Sequence, residues 1–167
     1  MKNNDITNTF NNFSKIDMSN YFISKATIDD IDKIMMLEDN LDIKILSKNN
    51  ILEDMKNEHF VYFLLNDMSK NKTIGYIAIS YVIDTMDIIS IVIEKNYQKK
   101  GFASYLLEYI IDFAKKNNIV NILLEVRSTN IPAIKLYEKF KFNKINIRKN
   151  YYTSPLEDAL IYQLKII

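Results

Sequence analysis

Apolar residues along this 167-residue chain recur with two periods, and the switches between them divide it into elements. Residues 1–20 show neither period. Met1 to Asn20 is dominated by Asn, Lys, Asp, Ser and Thr and reads as a polar N-terminal arm of disorder-prone composition, with Phe10, Phe13 and Ile16 as its docking points. From Tyr21 the pattern changes. Tyr21 to Ala26 suits a strand, and Thr27 followed by Asp30 is a capping-box signature for a helix with Ile31, Ile34, Met35 and Leu37 on its apolar side. A second short helix starts after Ser47, with Ile51, Leu52 and Met55 inward. Phe60 to Leu65 and Ile74 to Val82 are rich in aromatic and β-branched residues, and polar Asn66 to Lys72 separates them as a turn. Ile88 to Ile93 is a third apolar run after the short break at Asp84-Thr85.

The next segment is helical. Ala103, Leu106, Leu107, Ile110, Ile111 and Ala114 form one inward face over about four turns. Lys115 and Lys116 close it where positive charge complements the carbonyl end of the dipole. Ile119 to Val126 reads as a strand, Asn130 to Phe140 as a helix, and Phe142 to Arg148 and Asp158 to Ile166 as strands. The order β-α-α-β-β-β-α-β-α-β-β predicts an antiparallel meander followed by a strand–helix–strand crossover. That is a mixed α/β (α+β) architecture in one domain over residues 21–167.

Composition narrows the function. The chain is 48% hydrophobic and 26% charged, with a formal net charge of +1, which argues against a nucleic-acid partner. The absence of cysteine excludes disulfides, thiolate metal sites and a cysteine nucleophile. A single histidine, His59, speaks against a multi-histidine metal site or a Ser-His-Asp triad, and it reads as a strand-edge residue. No apolar run reaches the roughly 18 residues of a membrane helix, and no signal-peptide core stands at the N-terminus. The expectation is a cytoplasmic protein without metal or membrane partner.

Candidate chemistry begins at a glycine. Only Gly75 and Gly101 occur, and Gly101 stands between the strand ending at Ile93 and the long amphipathic helix. A turn there aims consecutive backbone N–H groups at one point, backed by the positive end of the helix dipole, and so makes an anion site that suits a pyrophosphate. Lys99 and Lys100 add charge. On spacing alone, a flexible turn with solvated lysines fits equally well. Neither a P-loop nor a G-x-G-x-x-G fingerprint is present.

The run Ile91-Val92-Ile93-Glu94-Lys95-Asn96-Tyr97-Gln98-Lys99-Lys100-Gly101-Phe102-Ala103 resembles the central Q/R-x-x-G-x-G/A motif of the GNAT acyltransferases. Leu124-Glu125-Val126-Arg127-Ser128-Thr129-Asn130, Ala133-Ile134-Lys135-Leu136-Tyr137, Phe142, Arg148-Lys149-Asn150-Tyr151-Tyr152, Pro155 and Glu157-Asp158-Ala159 follow in the order of the RimI-type N-terminal acetyltransferases. The resemblance spans Tyr21 to Ile166 and is densest after Ile88. It departs at Ala103, which replaces a second glycine, and at Lys95-Asn96, where a proline-containing pair is common. It departs again at Lys141, where glycine usually precedes Phe142; a left-handed backbone there costs a non-glycine residue roughly 1 kcal/mol.

The resemblance implies a GNAT-like sheet, mostly antiparallel, with helices on both faces, and acetyl-CoA as co-substrate. It implies that Gln98, Lys99, Lys100, Gly101, Phe102, Ala103 and Ser104 hold the pyrophosphate. The backbone of Ile91, Val92 and Ile93 would hold the pantetheine arm and polarise the thioester carbonyl. Glu125 sits in an apolar strand, where a carboxylate requires a reason: a general base acting through water, or a pair with a cation such as Arg127. Asn130, Ile134 and Tyr137 share one helix side, and Tyr137 is either a core aromatic or a protonated phenol able to act as an acid. The resemblance makes Glu125 the base and Tyr137 the acid, and adds a CoA contact to the capping role of Asn130. It assigns Tyr151, Tyr152, Glu157 and Asp158 to a substrate-side loop, where a tyrosine-rich hairpin surface is the alternative. The implied acceptor is a protein or peptide N-terminus, as in a ribosomal protein, met by a monomer or weak dimer. A lysine side chain, a polyamine or another small amine is the alternative acceptor, and a non-catalytic acyl-CoA binder the alternative class.

Overall fold

The computed structural model of the chain describes residues 17–42 and 44–166. Phe10, Phe13 and Ile16 lie outside them. Asp17 caps a single 3-10 turn, Met18–Asn20, and Met18 packs against the main core.

The elements follow the predicted order: β1 (Tyr21–Lys25), α1 (Ile31–Glu38), α2 (Lys48–Met55), β2 (Phe60–Asp67), β3 (Lys72–Val82), β4 (Thr85–Ile93), α3 (Phe102–Lys116), β5 (Asn121–Arg127), α4 (Ile131–Lys139), β6 (Asn143–Thr153) and β7 (Leu156–Lys165). The Thr27–Asp30 capping box forms ahead of α1, through one 3-10 turn, and Ser47 caps α2 by accepting from Asn50 N–H. The strands make one sheet in the order β1-β2-β3-β4-β5-β7-β6. Every neighbouring pair is antiparallel except β4 and β5, which α3 joins by crossover.

Side-chain alternation sends residues to two cores. Phe63, Leu65, Ile77, Ile79, Ile122, Leu124 and Val126 meet Leu106, Leu107, Ile110 and Ala114 of α3, together with Tyr137 of α4. Tyr62, Leu64, Tyr76 and Ala78 meet Ile31, Ile34 and Leu37 of α1 and Ile51 of α2 on the other face. The sheet is therefore covered on both sides.

Two irregularities in β4 position the site. The register pairs Ala78 with Ser90 but Ile79 with Ile88, so Ile89 is an extra, bulged residue. The bulge reverses the alternation: Met86 and Ile88 face α3 before it, Ile91 and Ile93 face α3 after it, and Val92 turns to the α1 core. The parallel ladder with β5 also stops at Ile88 and Leu124. Past that point, the edge of β4 turned away from β3 has no strand partner among the described residues, so backbone polar groups there stand open to a ligand. Gly75 supports this strand from behind: a Cβ there would lie 2.6 Å from the Val92 carbonyl oxygen.

Several boundaries differ from the sequence reading. β2 runs through Asp67, because Asn66 and Asp67 find side-chain partners in Ser24, Thr73, Ser69 and Tyr97, so the turn shrinks to Met68–Asn71. β5 begins at Asn121 rather than Ile119. β6 continues past Arg148 to Thr153, which puts Tyr151 and Tyr152 on a strand instead of a loop. No helix among the described residues is long and apolar enough to cross a membrane.

Candidate active site

The segment between β4 and α3 is braced before it turns. Tyr97 N–H donates to the Glu94 carbonyl at 2.8 Å, closing a 3-10 turn over Lys95–Tyr97, so the missing proline does not open the approach. The Tyr97 hydroxyl donates to Asp67 Oδ2 at 2.9 Å, and the Lys70 and Lys100 ammonium groups stand 5.0 and 5.6 Å from its ring centroid. Hydrogen bonds from Ser69 first, and Tyr97 after it, hold the Asp67 carboxyl below the usual carboxylate range. Gln98 Nε2 donates to the Ile93 carbonyl at 3.0 Å, tying the turn back to β4. Lys99 (φ 60°) and Gly101 (φ 95°) are left-handed, and Gly101 leads into the 15-residue helix α3. Left-handed residues set beside a helix N-terminus are the ingredients of an anion-binding nest.

Beside this turn lies a cavity of about 370 Å³. Of the sequence-predicted residues, Ile91, Ile93, Gln98, Lys99, Gly101, Phe102, Ala103, Ser104, Asn130 and Tyr137 line it. Val92 does not, since its side chain packs in the α1 core, and Lys100 lies outside over Tyr97. Tyr97, Pro132, Ala133 and Leu136 also line the cavity. Helical spacing from Asn130 and Tyr137 was the available signal for Ala133, and Leu136 follows one turn after Ala133.

Helix α4 is fixed at both ends. Asn130 Oδ1 accepts from Ala133 N–H at 3.3 Å, with Pro132 in the first turn. At the other end Lys141 is left-handed (φ 67°), Phe142 N–H donates to the Tyr137 carbonyl and Lys141 N–H to that of Glu138, each at 3.0 Å. This is a Schellman closure made with lysine in place of glycine. It sets the Phe142 ring 5.8 Å from that of Tyr137. Tyr137 is 8% exposed, and among the described residues its hydroxyl has no hydrogen-bond partner. Burial first, and Tyr152 after it, pushes its pKa up to about 12, so the phenol keeps its proton.

Glu125 lies on the opposite face of β5 from the buried Leu124 and Val126, just past the end of the parallel ladder. It does not line the cavity. Its carboxylate pairs with Arg148, not Arg127, at 2.7 Å between Oε1 and Nη1. Hydrogen bonding to Glu125 first, and the glutamate charge after it, raise the Tyr151 pKa. Burial and the Glu125 charge likewise raise Asp87 and Tyr152.

The two acidic residues beyond are otherwise engaged. Glu157 accepts from Thr129 N–H at 2.6 Å and from the hydroxyls of Thr129 and Ser128, and pairs with Arg127 at 3.3 Å. The Thr129 N–H leads in lowering its pKa. Asp158 binds Lys149 Nζ at 2.7 Å and Asn150 N–H at 2.9 Å, with Lys149 leading in lowering its pKa. From β7, Glu157 holds the start of the β5–α4 loop and Asp158 holds β6, and neither lines the cavity.

The family model for the acetyltransferase (GNAT) family matches residues 28–142, which is more than half of the chain. This chain belongs to the GNAT acetyltransferase family. Among its relatives is the [ribosomal protein bS18]-alanine N-acetyltransferase of Escherichia coli (strain K12), 37% identical over 107 residues that cover 62% of this chain and 72% of that one. The putative enzyme of the same description from Bacillus subtilis (strain 168) is 30% identical over 144 residues, 86% of this chain and 95% of that one. The crystal structure of the Escherichia coli ribosomal-protein-S18-alanine N-acetyltransferase superposes with a TM-score of 0.81 at 30% identity, covering 87% of this chain and 94% of that one.

Proposed function

We propose that this GNAT enzyme transfers an acetyl group from acetyl-CoA to the N-terminal α-amine of a protein, of the ribosomal-protein-alanine kind, by direct attack in a ternary complex in the cytoplasm. The observation that carries this reading is the gap between β4 and β5, with Tyr137 on one face of the sheet and Glu125 on the other, in a chain so similar to bS18-alanine N-acetyltransferases. A donor and an acceptor reaching the gap from opposite faces would meet there with an acid on one side and a base on the other.

The residues present fit acetyl-CoA. Lys99 to Gly101 and the α3 N-terminus suit its pyrophosphate, and the unpaired β4 edge suits its amide-bearing arm. Tyr137 lines the same cavity. When bound, the cofactor supplies the acetyl group as a thioester.

Everything else falls to the chain. An N–H of Ile91 to Ile93 on the open edge donates to the thioester carbonyl oxygen as negative charge develops. A peptide α-amine has a pKa of about 8, so part of it is already neutral at pH 7 and a modest base suffices. Glu125 accepts the amine proton through water, and Tyr137 gives its proton to the departing sulfur. The chain has no cysteine to carry a thioester of its own, which favours direct transfer.

An acceptor panel tests the reading: an alanine-initiated peptide, the same peptide with a blocked N-terminus and an internal lysine, and spermidine, each followed by mass gain. The free peptide is expected to gain one acetyl group on its first residue, and the blocked peptide none. Acetylation of spermidine with the peptide untouched would move the acceptor to small amines. CoA binding without transfer to any of them would leave a non-catalytic binder.

A further inference from the structure

We propose that Arg148 is a positioning residue of this site: from the edge strand β6 it pins the Glu125 carboxylate beside the β4–β5 gap. This rests on the reading of Glu125 as the base.

The fold reaches some distance to make the contact. Glu125 on β5 lies opposite Ile161 of β7, and Ile161 lies opposite Asn146 of β6. Arg148, two residues further along β6, must extend across β7 to bring Nη1 to 2.7 Å from Glu125 Oε1. The strand is distorted next to it. Arg148 pairs with Ala159 and Tyr152 with Glu157, so Lys149, Asn150 and Tyr151 stand against Asp158 alone. Asp158 holds this wide bulge through Lys149 Nζ and Asn150 N–H, with Asn150 left-handed at φ 53°. Beside the bulge the Tyr151 ring sits 5.3 Å from the Arg148 guanidinium.

The arrangement is ill suited to a stabilising role. The Arg148 side chain is 52% exposed and that of Glu125 28%, and ion pairs this open add little to stability. Arg127, on the same face of β5 as Glu125, is committed elsewhere: it pairs with Glu157, and its guanidinium stacks 4.0 Å from the Tyr152 ring centroid. It is not free to replace Arg148. A base acting through water depends on where its oxygens sit, and fixing one oxygen with a guanidinium removes the rotamer freedom of an otherwise half-open glutamate.

A double-mutant cycle tests this in the full-length enzyme, with acetyl-CoA and the alanine-initiated peptide. Arg148→Met is expected to lower kcat about tenfold, leaving KM for acetyl-CoA and the melting temperature unchanged. Arg148→Lys should recover part of the loss, because it restores the charge without the planar fork. In a Glu125→Gln background Arg148→Met should have no further effect, since its route of action is gone. Wild-type kcat in Arg148→Met would overturn the proposal. So would an equal fold-loss in both backgrounds, which is the mark of a structural role. Should Arg148→Met fail to fold, Arg148→Lys in the two backgrounds gives the same comparison. Wild-type turnover in Glu125→Gln alone would instead remove the base reading, and this proposal with it.

Discussion

Glu125→Gln lowers kcat by about two to three orders of magnitude at neutral pH, with the KM for acetyl-CoA unchanged. Glutamine keeps the shape and loses the proton acceptor. The acetyl-CoA KM is spared because Glu125 does not line the cavity on the α3 face. The deficit carries a pH signature of its own. As pH rises past about 8, the peptide α-amine sheds its proton to solvent, so the variant should approach the wild type from below. A deficit that stays constant from pH 6.5 to 9 (about one and a half units on one side of that α-amine pKa and one on the other) would show that Glu125 does something other than remove that proton. Steady-state rates with saturating peptide across this range decide the matter.

Tyr137→Phe is expected to reduce kcat about a hundredfold with little change in either KM. The substitution removes one oxygen and leaves the ring to pack on Phe142 and Tyr162. That oxygen has no structural hydrogen bond to lose among the described residues, so thermal stability should hold. Its pKa, pushed up to about 12 by burial, keeps the phenol protonated throughout the working range. The Tyr137→Phe deficit should therefore be flat with pH where that of Glu125→Gln is sloped. A variant that matches the wild type would mean that the sulfur leaves without a proton from the enzyme. The contrast between the two profiles separates acid from base better than either magnitude.

Local signals were legible in the sequence, and register was not. The Thr27–Asp30 box, Ser47, the apolar stripe of α3 and the Gly101 turn all depend on residues within one or two turns of each other, and each appears where spacing puts it. Lys141 adopts the left-handed backbone that its place before Phe142 demanded. The Ile89 bulge leaves no such trace, because it is a mismatch between two strands rather than a property of either. The partner of Glu125 shows the same limit. Arg127 is its neighbour at i+2, but Arg148 reaches it only through the offsets of β5 on β7 and β7 on β6. The same offsets give Glu157 and Asp158, which the resemblance assigns to the acceptor side, their partners Thr129, Arg127, Lys149 and Asn150 in the fold.

Direct transfer to an α-amine is tested by one measurement. The enzyme is first incubated with acetyl-CoA labelled in the acetyl group and its intact mass recorded; the alanine-initiated peptide is then added and the product fragmented. Direct transfer leaves the enzyme unmodified in the first step, and in the second puts a single labelled acetyl group on the peptide's first nitrogen. Label held covalently by the enzyme and then passed to the peptide, or label found only on a lysine side chain, would contradict it.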